Sequence, residues 1–405
     1  MRVGIFTLAF ESNLNYGAAL QAWALKAAVE KILPPPVTNE VCVLLLTYSG
    51  SESAELKYCD RTGIINFIRK KISIYKRRRK YRKTLKQASD RYVKFEEFLK
   101  KNAFGNRKRF FAKNVIEATC DIDVYVIGSD WVWYLPENKL NADLEQLDDL
   151  QSIYLGRYPV LRDNQKRIAY AASQGIVPTT SSTLWQQVLS NFSAVSVREQ
   201  ESAKYLTKNG SPIKVEHVLD PTLLLEMEDL QKIEAKDQTE LLQGNYIALY
   251  ILPSEHTQEI VDYVRELSEK VGVPIQNVSW SKDVEIPGIK ALGSNLGPSE
   301  FITYIKNSCY VITNSFHGMV FASLYHRRFT AFQRQENDFR QINLVRLLGL
   351  ENRLLPTDGF KTYSELKDPF DIEVDWAEAD ERRRKEAQHS VSFLKRSILD
   401  GNTAH

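Results

Sequence analysis

In the stretch YVITNSFHGMVFASLYHRRF, the residues Asn314, Ser315, Phe316, His317 and Gly318 separate two apolar runs. His317, one of six histidines in 405 residues, thus stands where a strand hands over to a helix. The spacing predicts a strand over 310–312 and a short helix over 319–325, with the polar knot at the strand's carboxyl end. Open α/β sheets bind their ligands at that end. Exposed N–H groups at the start of the next helix favour an anion such as phosphate. Asn314 or Ser315 can cap that helix, and Gly318 lets a ligand approach the backbone closely. A histidine held there can donate to the phosphate or move a proton, its unperturbed pKa being about 6.5. The competing reading is a core histidine bonded to a backbone carbonyl.

The stretch VYVIGSDWVW (124–133) is the counterpart in the first half of the chain: a strand runs into Gly128, Ser129 and Asp130, with Trp131 and Trp133 just beyond. Aromatic faces beside a carboxylate suit carbohydrate, and Asp130 can act as a general base. The alternative is a helix cap beside structural tryptophans. SVREQESAKYL ends a strand at Arg198, which suits bidentate binding of carboxylate or phosphate, or an ion pair with Glu199 or Glu201. Asn15, Tyr16 and Gly17 form the turn from the first strand to the first helix. Arg334, Arg340, Arg346 and Arg353 follow the histidine turn; Arg340 is expected to face a ligand, and Arg346 and Arg353 to make surface contacts. There is no Walker A loop, GxGxxG fingerprint or HExxH pair, so P-loop, NAD and metalloprotease chemistry lack support. No spacing of ligating residues calls for a metal.

The elements that must position these residues follow from hydrophobic periodicity. RVGIFTLAF, VCVLLLTY, DVYVIGSD, RIAYAAS and AVSVRE read as strands apolar on both faces, with amphipathic helices such as NYGAALQAWALKAAVEKIL between them. That alternation predicts a parallel sheet covered on both sides. After Leu225 a polar segment leads into a second series, YIALYIL to RFTAFQ, with the same alternation. The expected organisation is a doubly wound α/β domain over 1–225, a second over 226–375, and a closing helix and tail over 376–405. The two halves face a cleft that is the default ligand site.

Composition is that of an ordinary globular chain, 43% hydrophobic and 26% charged with a net charge of +3, so nothing in it demands a nucleic-acid partner. Four scattered cysteines without CxxC spacing and no long apolar run point to a reducing, cytoplasmic compartment and to no membrane span. RKKISIYKRRRKYRK (69–83) packs ten basic residues into fifteen positions, within an expected insertion over about 60–113. It reads as a solvated helical face, or as a patch making peripheral contact between Arg69–Lys83 and anionic lipid head groups at the inner face of a membrane.

Taken in order, NYGAALQAWAL, DVYVIGSDWVW, RIAYAASQG, VSVREQESAKYL, VLDPTLLL, VITNSFHGMVFASLYHRRF and RLLGLENRLL resemble the polysaccharide pyruvyl transferase family. The resemblance implies a glycosyltransferase-B-like (GT-B) fold of two Rossmann-type domains. It implies transfer of the pyruvyl group of phosphoenolpyruvate to hydroxyls of a saccharide acceptor, free or lipid-linked, in the synthesis of a capsule or exopolysaccharide. The products are a pyruvate ketal and phosphate, with no cofactor. On that expectation His317 and Asp130 are catalytic, and Arg198, Arg340, Asn314, Ser315 and Gly318 bind the donor. Asn15, Tyr16, Trp131 and Trp133 take the acceptor sugar. Two alternatives stand beside it. One is a nucleotide-sugar-dependent glycosyltransferase of the same fold, for which Glu300 in GPSEF could contact the ribose. The other is a non-catalytic carbohydrate-binding relative.

Overall fold

The computed structural model describes residues 1–8, 14–34, 40–43, 46–47, 89–104, 110–111, 120–135, 149–157, 165–175, 182–235, 245–254, 257–280, 286, 289, 291–335, 338–356 and 373–400. The first half carries strands β1 (Arg2–Phe6), β2 (Glu40–Val43), β3 (Val124–Ile127), β4 (Lys166–Ala172), β5 (Ala194–Val197) and β6 (Val215–His217). They form one sheet in the order β2-β1-β3-β4-β5-β6, every pairing parallel. The second half builds a sheet of β7 (Ile247–Tyr250), β8 (Ile275–Asn277), β9 (Tyr310–Thr313), β10 (Phe329–Phe332) and β11 (Leu354–Leu355). Its order is β8-β7-β9-β10-β11, again all parallel. Central strands such as β3, β7 and β9 are buried at every position, because helices cover both faces of each sheet. This is the GT-B-like arrangement of two Rossmann-like domains facing one another. The order reverses between β1 and β3 in one sheet and between β7 and β9 in the other, so each has its switch point at a central pair.

Helices α1 (Tyr16–Ile32), α2 (Ser89–Asn102), α3 (Asp149–Tyr154), α4 (Ser182–Leu189), α5 (Gln200–Lys208) and α6 (Met227–Ile233) accompany the first sheet. Helices α7 (Thr257–Val271), α8 (Pro298–Asn307), α9 (Phe316–Leu324) and α10 (Phe339–Leu348) accompany the second, and α11 (Trp376–Leu399) packs against both halves. The core has three parts. One apolar cluster lines the first sheet with Phe6, Tyr125 and Trp185, and another lines the second with Ile247, Leu249, Tyr263 and Phe332. The third and largest runs through both halves, from Val3, Ile5 and Leu20 to Val311, Val320 and Phe321. Helix α11 carries Phe393, Leu394 and Ile398 into this shared core, and its Ser390 hydroxyl accepts from Leu219 N at 2.9 Å.

Helix α2 lies within the stretch expected to be an insertion, yet Arg91, Phe95, Phe98 and Leu99 are buried. The basic segment Arg69–Lys83 and Cys59 lie outside the described residues. Arg91 joins the two halves. Its Nη2 donates to Leu14 O at 2.6 Å, while Nη1 donates to Tyr16 Oη at 2.5 Å, to Leu296 O at 3.0 Å and to Gly293 O. The Tyr16 ring stacks on Phe301 of α8 with centroids 4.3 Å apart. No helix among the described residues is long and apolar enough to cross a membrane.

Truncating Arg91 leaves several buried carbonyls without a donor, at about 1–3 kcal/mol each. Arg91→Ala is therefore expected to lower the urea midpoint clearly relative to the wild type. A midpoint that does not move would contradict the bridging role.

Candidate active site

The carboxyl ends of β3, β4, β5 and β6 deliver a row of polar side chains to the edge of the first sheet. Arg198, buried just after β5, lies at its centre. Its Nη1 donates to Asp220 Oδ2 at 2.8 Å, its Nε to Glu199 Oε1 at 3.2 Å and its Nη2 to Asp130 Oδ1 at 3.2 Å. One guanidinium thus meets three carboxylates. Burial works against its charge, but the three carboxylates outweigh that and hold it protonated.

Asp220 is the best satisfied of the three acids. Ser129 Oγ donates to its Oδ2 at 3.0 Å, and Thr222 donates to its Oδ1 from N at 3.0 Å and from Oγ1 at 2.7 Å. Burial opposes its ionisation, but the nearby His317, Arg198 and Thr222 prevail and hold its carboxyl well below the usual range. Glu199 is the opposite case. Its Oε1 accepts from Ser173 Oγ and Arg198, whereas the buried Oε2 has no hydrogen-bond partner. Burial pushes its carboxyl above the ordinary glutamate value, against the pull of Arg198, Ser173 and Arg340.

His317 reaches this edge from the other sheet. Helix α9 starts at Phe316, earlier than the spacing suggests, so His317 and Gly318 belong to its first turn. The side chain is 11% exposed, and its Nε2 lies 3.8 Å from Asp220 Oδ1, beyond a direct hydrogen bond. That nitrogen has no hydrogen-bond partner. On the ring's other side is Gly17 of α1, where a Cβ would come within 2.1 Å of His317 Nδ1. Only glycine permits this approach.

The remaining expected residues are placed as follows. Asn314 clamps β9 to the end of β7, its Oδ1 accepting from Leu252 N and its Nδ2 donating to Leu252 O, both at 2.7 Å. Gly318 packs on Thr313, whose Oγ1 would be 2.2 Å from an added Cβ. That oxygen accepts from Ser315 N at 3.0 Å, and the Ser315 side chain makes no cap to the helix. Asn15 caps α1, accepting from Gly17 N at 2.9 Å, and Tyr16 is buried between the two halves. Trp133 is a core residue rather than a sugar contact: it is fully buried against Trp185 and Phe192, and its Nε1 donates to Tyr154 O at 2.9 Å. Trp131 stays at the rim with Tyr134, which is 43% exposed, their centroids 5.3 Å apart.

Arg340 faces Trp131 across the cleft, its Cζ 4.8 Å from the ring centroid, and is held in a bidentate pair by Asp338. Arg334 lies close enough to feel its charge; burial and Arg340 together lower the Arg334 pKa. Arg353, expected at the surface, is buried and donates to Tyr310 Oη at 3.3 Å. Glu300 caps α8, accepting from Gly297 N at 3.0 Å, and pairs with Lys94 at 2.6 Å. Among the described residues no group of three or more His, Cys, Asp or Glu side chains is arranged to hold a metal ion. Asp220 and Tyr134 are not among the residues that the sequence singles out, and Glu199 enters there only as a partner for Arg198. The Asp-Pro pair after an apolar run in VLDPTLLL is the one signal that points to Asp220.

A family model described as polysaccharide pyruvyl transferase matches residues 15–336. No curated protein matches the chain. Among solved structures it is similar to a putative UDP-N-acetylglucosamine 2-epimerase from Listeria monocytogenes, at 13% identity and a TM-score of 0.49 over 96% of this chain and 91% of that one. It is also similar to S. aureus MnaA solved with UDP, at 11% identity and a TM-score of 0.48 over 90% and 85% of the two chains. Anabaena HepE in complex with UDP and glucose gives 12% identity and a TM-score of 0.46 over 98% of each chain. At these identities the likeness is one of fold.

The expectation of phosphoenolpyruvate-dependent pyruvyl transfer is corrected. Arg198, expected to neutralise the donor's charge, is already paired with Asp130, Glu199 and Asp220. Phosphoenolpyruvate as donor and partner, the ketal product and the pyruvyl (ketal) transferase class are withdrawn.

Gly17→Ala is expected to displace the His317 ring, since 2.1 Å must open to the 3.4 Å at which ordinary contact begins. Unchanged ring resonances of His317 in the NMR spectrum would contradict this. Glu199 also predicts a pH dependence. Its folded pKa lies above an unfolded value of about 4.3, so the folded chain holds the proton longer. Its contribution to stability therefore falls as pH rises between those two values and stays low above them. Glu199→Gln should lack that fall, so the Tm difference, variant minus wild type, should grow from about pH 4 to about pH 8. A constant difference would refute the raised pKa.

Proposed function

We propose, from the premise that the chain belongs to the polysaccharide pyruvyl transferase family, that it is a nucleotide-sugar-utilising transferase of the GT-B-like fold. The observation that carries this reading is the setting of His317. A nearly buried imidazole with an unpartnered Nε2 lies between the two switch points, 3.8 Å from a carboxylate oxygen. That is the setting of an acid–base group.

A nucleotide sugar needs a seat for its diphosphate and another for its sugar. On the second domain, Arg334, Arg340 and the start of α9 supply the first. On the first domain, Asp130 and the pair Trp131 and Tyr134 supply acceptors for hydroxyls and faces for ring CH groups. In the transfer, an acceptor hydroxyl attacks the anomeric carbon as the bond to the diphosphate oxygen breaks. The bonding pair leaves with the nucleoside diphosphate towards the arginines, and the hydroxyl proton passes to His317 Nε2. Asp220 stabilises the imidazolium so formed.

We place the domain division near residue 225 and the protein in a reducing compartment, in keeping with the free thiols of Cys42, Cys120 and Cys309.

Calorimetric titration with UDP-glucose, UDP-N-acetylglucosamine and, for comparison, phosphoenolpyruvate tests the reading. A UDP-sugar should bind, and His317→Gln should keep that binding while lowering turnover by about 10²–10⁴-fold. Binding of phosphoenolpyruvate with no response to any UDP-sugar would overturn it.

A further inference from the structure

A cavity of about 340 Å³ opens between β6 and the start of α5 on one side and α10 on the other, with Glu386 of α11 beside it. Leu223, Leu344 and Leu347 give it an apolar lining, and Gln200, His217 and Asn343 a polar one. Arg198, Asp220 and Arg346 also line the wall. Both domains therefore contribute to it.

The lining arginines differ in what they have left to offer. Arg198 is shared by three carboxylates, and Arg340, paired with Asp338, is assigned to the diphosphate seat. Arg346 is exposed on the last turn of α10, and no carboxylate among the described residues pairs with it. It is the lining cation best able to take an external anion.

We propose that this cavity seats the second substrate, a sugar carrying a phosphate. Its ring CH face lies on the apolar lining, its hydroxyls meet Asn343, Gln200 and His217, and its phosphate pairs with Arg346. The volume lies at the lower end of ligand sites, about 300–1,000 Å³, which suits one phosphorylated hexose rather than an oligosaccharide. The proposal rests on the transferase reading for its role. Asp220, whose Oδ1 faces His317, also lines the cavity, so a hydroxyl held there lies next to the acid–base pair.

The test is calorimetric titration of the full chain with glucose 6-phosphate, glucose and inorganic phosphate, with UDP titrated in parallel. Glucose 6-phosphate should bind more tightly than either fragment. Arg346→Glu and Leu347→Trp should each weaken it by about tenfold or more, a change of about 1.4 kcal/mol, while UDP affinity stays within about twofold. Arg346 is exposed, so its variant is expected to fold even where the tryptophan disturbs packing. No binding of glucose 6-phosphate to the wild type would overturn the proposal, as would equal binding by both variants or equal affinity for phosphate alone. Failure of UDP to bind any of the proteins would instead count against the nucleotide-sugar reading, leaving the glucose 6-phosphate result to decide the cavity.

Discussion

The guanidinium of Arg198 ties the site together. Asp130, Glu199 and Asp220 come from the ends of three different strands, and each places an oxygen within 3.2 Å of it. Removing these charges from water costs several kcal/mol per ion, so the cluster holds only if its hydrogen bonds are well made. Asp220 meets that demand through Ser129, Thr222 and Arg198. Glu199 does not, and burial raises its pKa. Of the two fully buried acids, only Glu199, with one oxygen unpartnered, is shifted upward.

The same cluster makes the site a product of both domains. His317 belongs to the second sheet, but the groups on either side of it, Gly17 and Asp220, belong to the first half. Its position depends on the contacts that hold the halves together: Arg91 across the interface, Tyr16 on Phe301, and α11 against Leu219. Each is remote from the imidazole in sequence, yet a shift of about 1 Å in any of them would alter its surroundings, and displacements of that size matter for acid–base chemistry.

The parallel sheets were legible because they depend on periodicity, and so were the strand ends, because polar residues follow the apolar runs there. Those runs give strands buried on both faces, and His317, Asp130 and Arg198 do fall at carboxyl ends. What a side chain meets there was not legible. Trp131 and Trp133 are two residues apart, yet one lies at the rim and the other in the core, because the chain turns there, Tyr134 N donating to Trp131 O at 3.1 Å. Asn314 reads as a ligand contact and instead clamps two strand ends, since its partner Leu252 lies 62 residues away in sequence. Arg198 reads as open to an anion until Asp220, 22 residues on, is placed beside it.

The charge pattern also restricts how a ligand can lie in the cleft. The edge of the first sheet carries three acids against one arginine, so an anionic group is repelled there and a sugar hydroxyl is favoured. Across the cleft, burial and the neighbouring Arg340 both disfavour the charge on Arg334. An anion seated between the two arginines would offset that, because it replaces repulsion with two charge-assisted hydrogen bonds. The two edges thus differ in what they favour, a neutral hydroxyl at the first and an anion at the second, and His317 lies where they meet.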